Sequence, residues 1–222
     1  MLHYEQSKKE KMDLIKKSGV IGIIRGIDGG FFPEFMAAAF AGGLQALEVT
    51  ANTKDGFVMV AKAAGRVPGG RLLGMGTICT KEDARRAIDS GAAFLVMPHL
   101  DPEIIDLGVK HGVPVVAGAL TPTEVLRAWQ AGAAMVKVFP CGAMGGPSYI
   151  RELRGPFDHL PLVPVGGVRH ENAADYFAAG AVAVGVGMPL FGADAVTARE
   201  CGAISENVKK FIRCCPSSCK VV

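Results

Sequence analysis

The chain has 222 residues, 50% of them hydrophobic and 20% charged, with a formal net charge of +3. That length suits one large domain of the size α/β barrels take, and so mild a charge, with no clustered basic face, argues against nucleic acid as a partner. No apolar run reaches the ~20 residues of a membrane span, and the start lacks the apolar core of a secretion signal, so a cytoplasmic chain is expected.

The chain opens with Lys8, Lys9, Lys11, Lys16 and Lys17, interrupted by Glu10 and Asp13. This reads as the solvated face of a helix over about 5–17. Eight short runs rich in Val, Ile, Leu, Met and Ala follow, at 20–24, 46–49, 71–75, 94–97, 114–117, 135–139, 162–165 and 182–186. They are nearly continuous in apolar residues, as strands of a parallel sheet buried on both faces are. Helical stretches lie between them. Thr80 with Asp83 three residues on, and Thr121-Pro122-Thr123-Glu124, are helix-start signals. Gly43, Gly91, Gly132 and Gly180 stand where helices should stop before the next strand. The repeated unit predicts an α/β fold, a (β/α)8 TIM barrel with an extra N-terminal helix over its bottom. The barrel is expected to span residues 1–213 as one domain, with 214–222 as a flexible tail. An open doubly wound sheet is the competing architecture, but no GxGxxG follows the first run.

In such a barrel the chemistry sits at the C-terminal ends of the strands. Lys137, in Met135-Val136-Lys137-Val138-Phe139-Pro140, shares neither face with Val136 and Val138, so it points into the barrel. Desolvation there favours the neutral, nucleophilic amine; the competing reading is a lysine that snorkels to solvent or pairs with a carboxylate. By the same parity Glu48, in Leu47-Glu48-Val49-Thr50, faces inward as a proton shuttle or as an ion-pair partner of Lys137 or Arg25. Arg25 ends the first run and offers a fork suited to a carboxylate or phosphate, or to a surface ion pair. Thr77 ends the third run with a hydroxyl. The last two runs end in Gly166-Gly167 and Gly187, where barrels commonly bind phosphate through backbone amides. No cluster of His, Asp and Glu has metal-ligand spacing. Cys214, Cys215 and Cys219 cluster near the end with no histidine close in sequence, so neither a metal nor a cofactor is expected.

Taken together, Leu47-Glu48-Val49-Thr50, Gly74-Met75-Gly76-Thr77, Val136-Lys137-Val138-Phe139-Pro140, Gly145-Gly146 and Pro164-Val165-Gly166-Gly167-Val168 resemble the 2-keto-3-deoxy-6-phosphogluconate (KDPG) / 4-hydroxy-2-oxoglutarate (KHG) aldolases, over about 15–211. The resemblance implies a class I pyruvate aldolase in which Lys137 forms an imine with the 2-keto group and Glu48 moves the proton. It implies Thr77 and Arg25 as carboxylate binders, Pro98 and Phe139 as walls around the pyruvate moiety, and Gly166 and Gly167 as a phosphate cradle. It also implies a small keto-acid substrate and a homotrimer. An iminium acts as an electron sink for the carbanion of retro-aldol cleavage, so the chemistry fits the residues.

The chain departs from the family's pattern in three places. Asn52 stands where many members carry arginine, His99 where they have glycine beside Pro98, and Met188 where many have a serine near the phosphate. These open the choice between a phosphorylated sugar acid and 4-hydroxy-2-oxoglutarate. Two other functions compete: an isomerase or synthase in which Lys137 is only electrostatic, and a non-catalytic barrel that binds small acids.

Overall fold

The structure, a computed structural model, describes residues 2–215, with the side chains of 8–215. Eight parallel strands form one sheet: β1 (Val20–Ile24), β2 (Ala46–Thr50), β3 (Leu72–Gly76), β4 (Leu95–Val96), β5 (Val115–Ala119), β6 (Met135–Val138), β7 (Leu162–Pro164) and β8 (Val184–Val186). Their order, β7-β6-β5-β4-β3-β2-β1-β8, is sequential around a ring. The ring closes between β7 and β8 through the Val165–Gly185 bridge and a bond from the Val182 amide to the Leu162 carbonyl at 3.0 Å. This is the expected barrel, not an open sheet.

Strand centres fall where the apolar runs predict, and the ends move. The fourth strand shrinks to two residues, yet its ladder goes on: the Met97 amide donates to the Val116 carbonyl at 3.0 Å and the Ile78 amide to the Val96 carbonyl at 3.2 Å. β2, β3 and β5 run on to Thr50, Gly76 and Ala119. Polar and glycine residues at these ends hid the extension, because period and hydrophobicity stop before the hydrogen bonding does.

The helices are α1 (Leu2–Ser18), α2 (Phe32–Ala41), α3 (Gly56–Ala64), α4 (Lys81–Asp89), α5 (Pro102–Lys110), α6 (Pro122–Gln130), α7 (Pro147–Arg154), α8 (Ala173–Ala178), α9 (Met188–Phe191), α10 (Ala193–Thr197) and α11 (Cys201–Arg213). The Thr80 hydroxyl accepts from the Asp83 amide at 3.0 Å and starts α4. Thr121 and Glu124 form a full capping box at the start of α6, with the Thr121 amide donating to Glu124 Oε2 at 2.8 Å. Gly43, Gly91, Gly132 and Gly180 all adopt positive φ, which is the left-handed stop the sequence calls for. The short α9 and α10 between β8 and α11 were not anticipated.

Two apolar layers result. The inner one fills the barrel with Ile21, Phe94, Val96, Val116, Met135 and Val163, and Met12 and Ile15 of α1 plug it from below. The outer one lies between strands and helices. Cys214 caps α11 and Cys215 is buried in the outer layer, whereas Cys219 lies outside the described residues. The fold also gives Cys214 a histidine that the sequence did not place there: His170 Nε2 lies 3.1 Å from its Sγ. Among the described residues no group of three or more His, Cys, Asp or Glu could hold a metal, and no helix is long and apolar enough to cross a membrane.

Candidate active site

β6 alternates as its parity requires. Met135 belongs to the barrel interior and Val136 and Val138 to the outer layer, so Lys137 points inward. It is only 5% exposed, which sets aside the snorkelling reading. Burial lowers its pKa from the usual lysine value. The Arg25 charge lowers it further, while Glu48 and Cys79 act the other way. The amine Nζ lies 4.9 Å from the centroid of the Phe139 ring, which therefore forms a wall beside it.

Glu48 reaches the same interior from β2, between outward-facing Leu47 and Val49. It is 1% exposed. Burial raises its pKa from 4.5 to about 7, against the opposing pull of Lys137 and Arg25. Its Oε2 has no hydrogen-bond partner among the described residues, and it makes no direct ion pair with Lys137 or Arg25. The carboxyl is held by space. Gly76 on β3 provides that space, since a Cβ there would meet Glu48 Oε1 at 1.6 Å. Nothing in the sequence around Gly76 signals this role, because the partner lies on another strand.

Arg25 extends from the end of β1, and its Nη2 donates to Thr77 Oγ1 at 3.3 Å. Thr77 holds φ at 56°, a left-handed conformation in which a β-branched residue is an outlier. Two residues not singled out from sequence fix this corner. The Gly26 amide donates to Thr53 Oγ1 at 3.0 Å, and the Thr50 and Thr53 hydroxyls bond at 2.9 Å. Both threonines are buried, so the β2–α3 loop clasps the turn that carries Arg25. Their spacing, Thr-x-x-Thr after an inward glutamate, was visible but carried no partner until the fold supplied Gly26.

The glycine loops also have definite conformations. Gly166 and Gly167 have φ of 92° and 79°, which side chains rarely adopt. Their carbonyls are engaged, Gly166 by the Gly142 amide at 2.9 Å and Gly167 by Asn172 Nδ2 at 2.9 Å. Asn172 Oδ1 accepts from the Arg169 amide at 2.8 Å, so this side chain, also missed, pins the loop. Gly187 has φ of −87° and ψ of −132°, and a Cβ there would lie 3.8 Å from the Ile23 carbonyl oxygen. Pro98 and His99 pass with their backbone over Gly118, the register neighbour of Lys137, and the His99 carbonyl accepts from the Gly118 amide at 3.1 Å. The His99 side chain is exposed.

A buried amine, a buried carboxyl titrating near neutrality and an arginine fork thus share one end of the barrel. Residues 12–207 match the family model for KDPG and KHG aldolase. The chain belongs to this family. This aldolase is 36% identical over 174 residues to the probable 2-dehydro-3-deoxy-6-phosphogalactonate aldolase of Rhizobium meliloti (strain 1021), covering 78% of this chain and 81% of that one. It is 31% identical over 179 residues to the 2-dehydro-3-deoxy-phosphogluconate aldolase of Pseudomonas aeruginosa, covering 80% of each. Among solved structures it resembles the KDPG aldolase of Legionella pneumophila, in which pyruvate was captured at low pH as a covalent carbinolamine intermediate. The TM-score is 0.82 at 25% identity, covering 90% of this chain and 96% of that one. The chain is accordingly a carbon–carbon lyase of the class I aldolase type.

Proposed function

We propose that Lys137 is the imine-forming residue of this aldolase and that its substrate is a 2-keto-3-deoxy-6-phospho sugar acid, cleaved to pyruvate and glyceraldehyde 3-phosphate. The observation that carries the reading is the burial of Lys137 beside Phe139 in the interior that also holds Glu48. The neutral amine adds to C2 of the keto acid, and loss of water gives the iminium. Glu48 accepts the C4 hydroxyl proton as the C3–C4 bond breaks, and the bonding electrons pass into the iminium to leave an enamine. The aldehyde departs, C3 of the enamine takes a proton, and hydrolysis returns Lys137 and pyruvate. Arg25 and Thr77, already bonded to each other, receive the carboxylate. Pro98 and Phe139 flank the pyruvate moiety. The amides of Gly166, Gly167 and Gly187 receive the phosphate, with the first two loop carbonyls already engaged elsewhere.

A second reading has its own support. Met188 brings no hydroxyl to the β8 loop, which favours a substrate without phosphate, 4-hydroxy-2-oxoglutarate, giving glyoxylate. Steady-state rates on both phosphorylated C4 epimers and on 4-hydroxy-2-oxoglutarate decide between them. A kcat/KM preference for a phosphorylated acid is expected; equal rates on all three would remove the phosphate cradle from the account. Lys137→Arg tests the imine role itself. It should abolish turnover, whereas an isomerase or synthase using Lys137 as a point charge would keep some.

The family resemblance supports a homotrimer, which light scattering on the purified chain would test by a mass of three chains. A cytoplasmic location is supported by the free thiols of Cys79, Cys141, Cys201 and Cys214.

A further inference from the structure

At the bottom of the barrel, opposite the catalytic mouth, α1 leaves an open groove of about 820 Å³ against α6, α7 and the segments entering β6, β7 and β8. That volume is within the ~300–1,000 Å³ of small-molecule clefts. Nothing in the aldolase reaction uses it. Its walls combine two chemistries. Trp129, the only tryptophan of the chain, packs partly on the outer core and also lines the groove, beside Met12 and Pro161. Opposite it α1 contributes Lys9 and Lys16, seven residues apart and so on one helical face. Arg154 completes the basic part, with Nη1 bonded to the Phe157 carbonyl at 3.3 Å and the Leu160 carbonyl at 3.1 Å. Neither bond uses Nη2, and the anchoring pre-sets the guanidinium.

Two carboxylates also line the groove. Asp13 pairs with Lys16 at 3.6 Å, and Asp158 with His159 at 3.1 Å. Each carboxylate has a cationic or imidazole neighbour of its own, and Lys9 and Arg154 add to that balance.

We propose that this groove is a second, non-catalytic site for a nucleoside phosphate. The base stacks on the indole of Trp129, and Lys9, Lys16 and Arg154 meet the phosphates. A free phosphate would leave the indole and the apolar wall unused. The sugar acids of the catalytic site have no planar ring to place there. The basic side chains meet in one short groove under α1 rather than along a stripe, which suits one small molecule and not a nucleic-acid strand.

The single tryptophan makes the test direct. Fluorescence of Trp129 is titrated with ATP at physiological salt, in the native enzyme and in the Lys9→Glu/Lys16→Glu double variant. Both substitutions lie outside the catalytic mouth, so circular dichroism and aldolase turnover should match the native enzyme. The proposal predicts saturable quenching by ATP, weakened about tenfold or more in the double variant by loss of two charge-assisted contacts. It also predicts weaker binding of adenosine alone and of tripolyphosphate alone. Binding must persist after Lys137 has been capped by pyruvate and borohydride; its loss would put ATP in the catalytic mouth and overturn the proposal. Absence of saturation, equal affinity in the double variant, or tripolyphosphate binding as tightly as ATP would overturn it as well.

Discussion

Glu48 and Gly76 occupy adjacent strands so closely that one defines the room of the other: a Cβ on Gly76 would sit 1.6 Å from Glu48 Oε1 and 2.1 Å from its Cδ. Backbone register puts Gly74, not Gly76, opposite Glu48, so the side chain leans along the strand toward the barrel mouth. Gly76→Ala should therefore displace the carboxyl without removing it. A fall in kcat of about 10²-fold or more is expected, the scale of general acid–base catalysis. Lys137 should still be trapped by pyruvate, because its amine is untouched. Stopped-assay kinetics beside trapping yields would show the split; normal kcat in the variant would detach Glu48 from proton transfer.

Burial holds the Glu48 pKa at about 7, so Glu48, the proposed catalytic base, loses its charge as pH falls through neutrality. Activity should drop along an acid limb centred near that value. The limb belongs to the Glu48–Lys137 pair as a unit, since each charge acts on the other. Glu48→Gln should erase it along with most of the turnover. Stability should move in a related way. Folding raises the pKa of this carboxyl, so its contribution is fully present below about 4.5 and is lost as pH rises through about 7. Melting temperatures of the native enzyme and Glu48→Gln, measured from pH 4 to 9, should shift progressively in favour of the variant as pH rises.

Arg25 depends on a clasp two residues wide. Its own fork bonds Thr77, and the next amide in the chain bonds buried Thr53. Arg25→Lys keeps the charge and loses the fork, and is expected to raise KM by about 10-fold or more, the worth of a charged hydrogen bond. Thr53→Val, which leaves the Gly26 amide unpaired, should raise KM in the same direction with a smaller change in kcat. An unchanged KM in Arg25→Lys would remove it from carboxylate binding.

The legible part of the molecule was the part governed by period and burial. Parity on a short apolar strand was enough to aim Lys137 and Glu48 inward, and the eight apolar runs were enough to count the barrel units. What stayed hidden depends on contacts between elements far apart in sequence. Gly76 reads as an ordinary glycine until β2 lies beside β3. Thr53 and Asn172 read as loop polar residues until the Gly26 amide and the Gly167 carbonyl arrive next to them. His170 likewise meets Cys214 only because the end of α11 lies beside the loop between β7 and α8.

Lys137 is proposed to carry the substrate covalently. Incubation with pyruvate and sodium borohydride, followed by peptide mass spectrometry, tests it most directly. A reduced pyruvyl adduct is expected on the peptide containing Lys137, stoichiometric with inactivation and absent in Lys137→Arg. An adduct on another lysine, or inactivation with Lys137 unmodified, would contradict it.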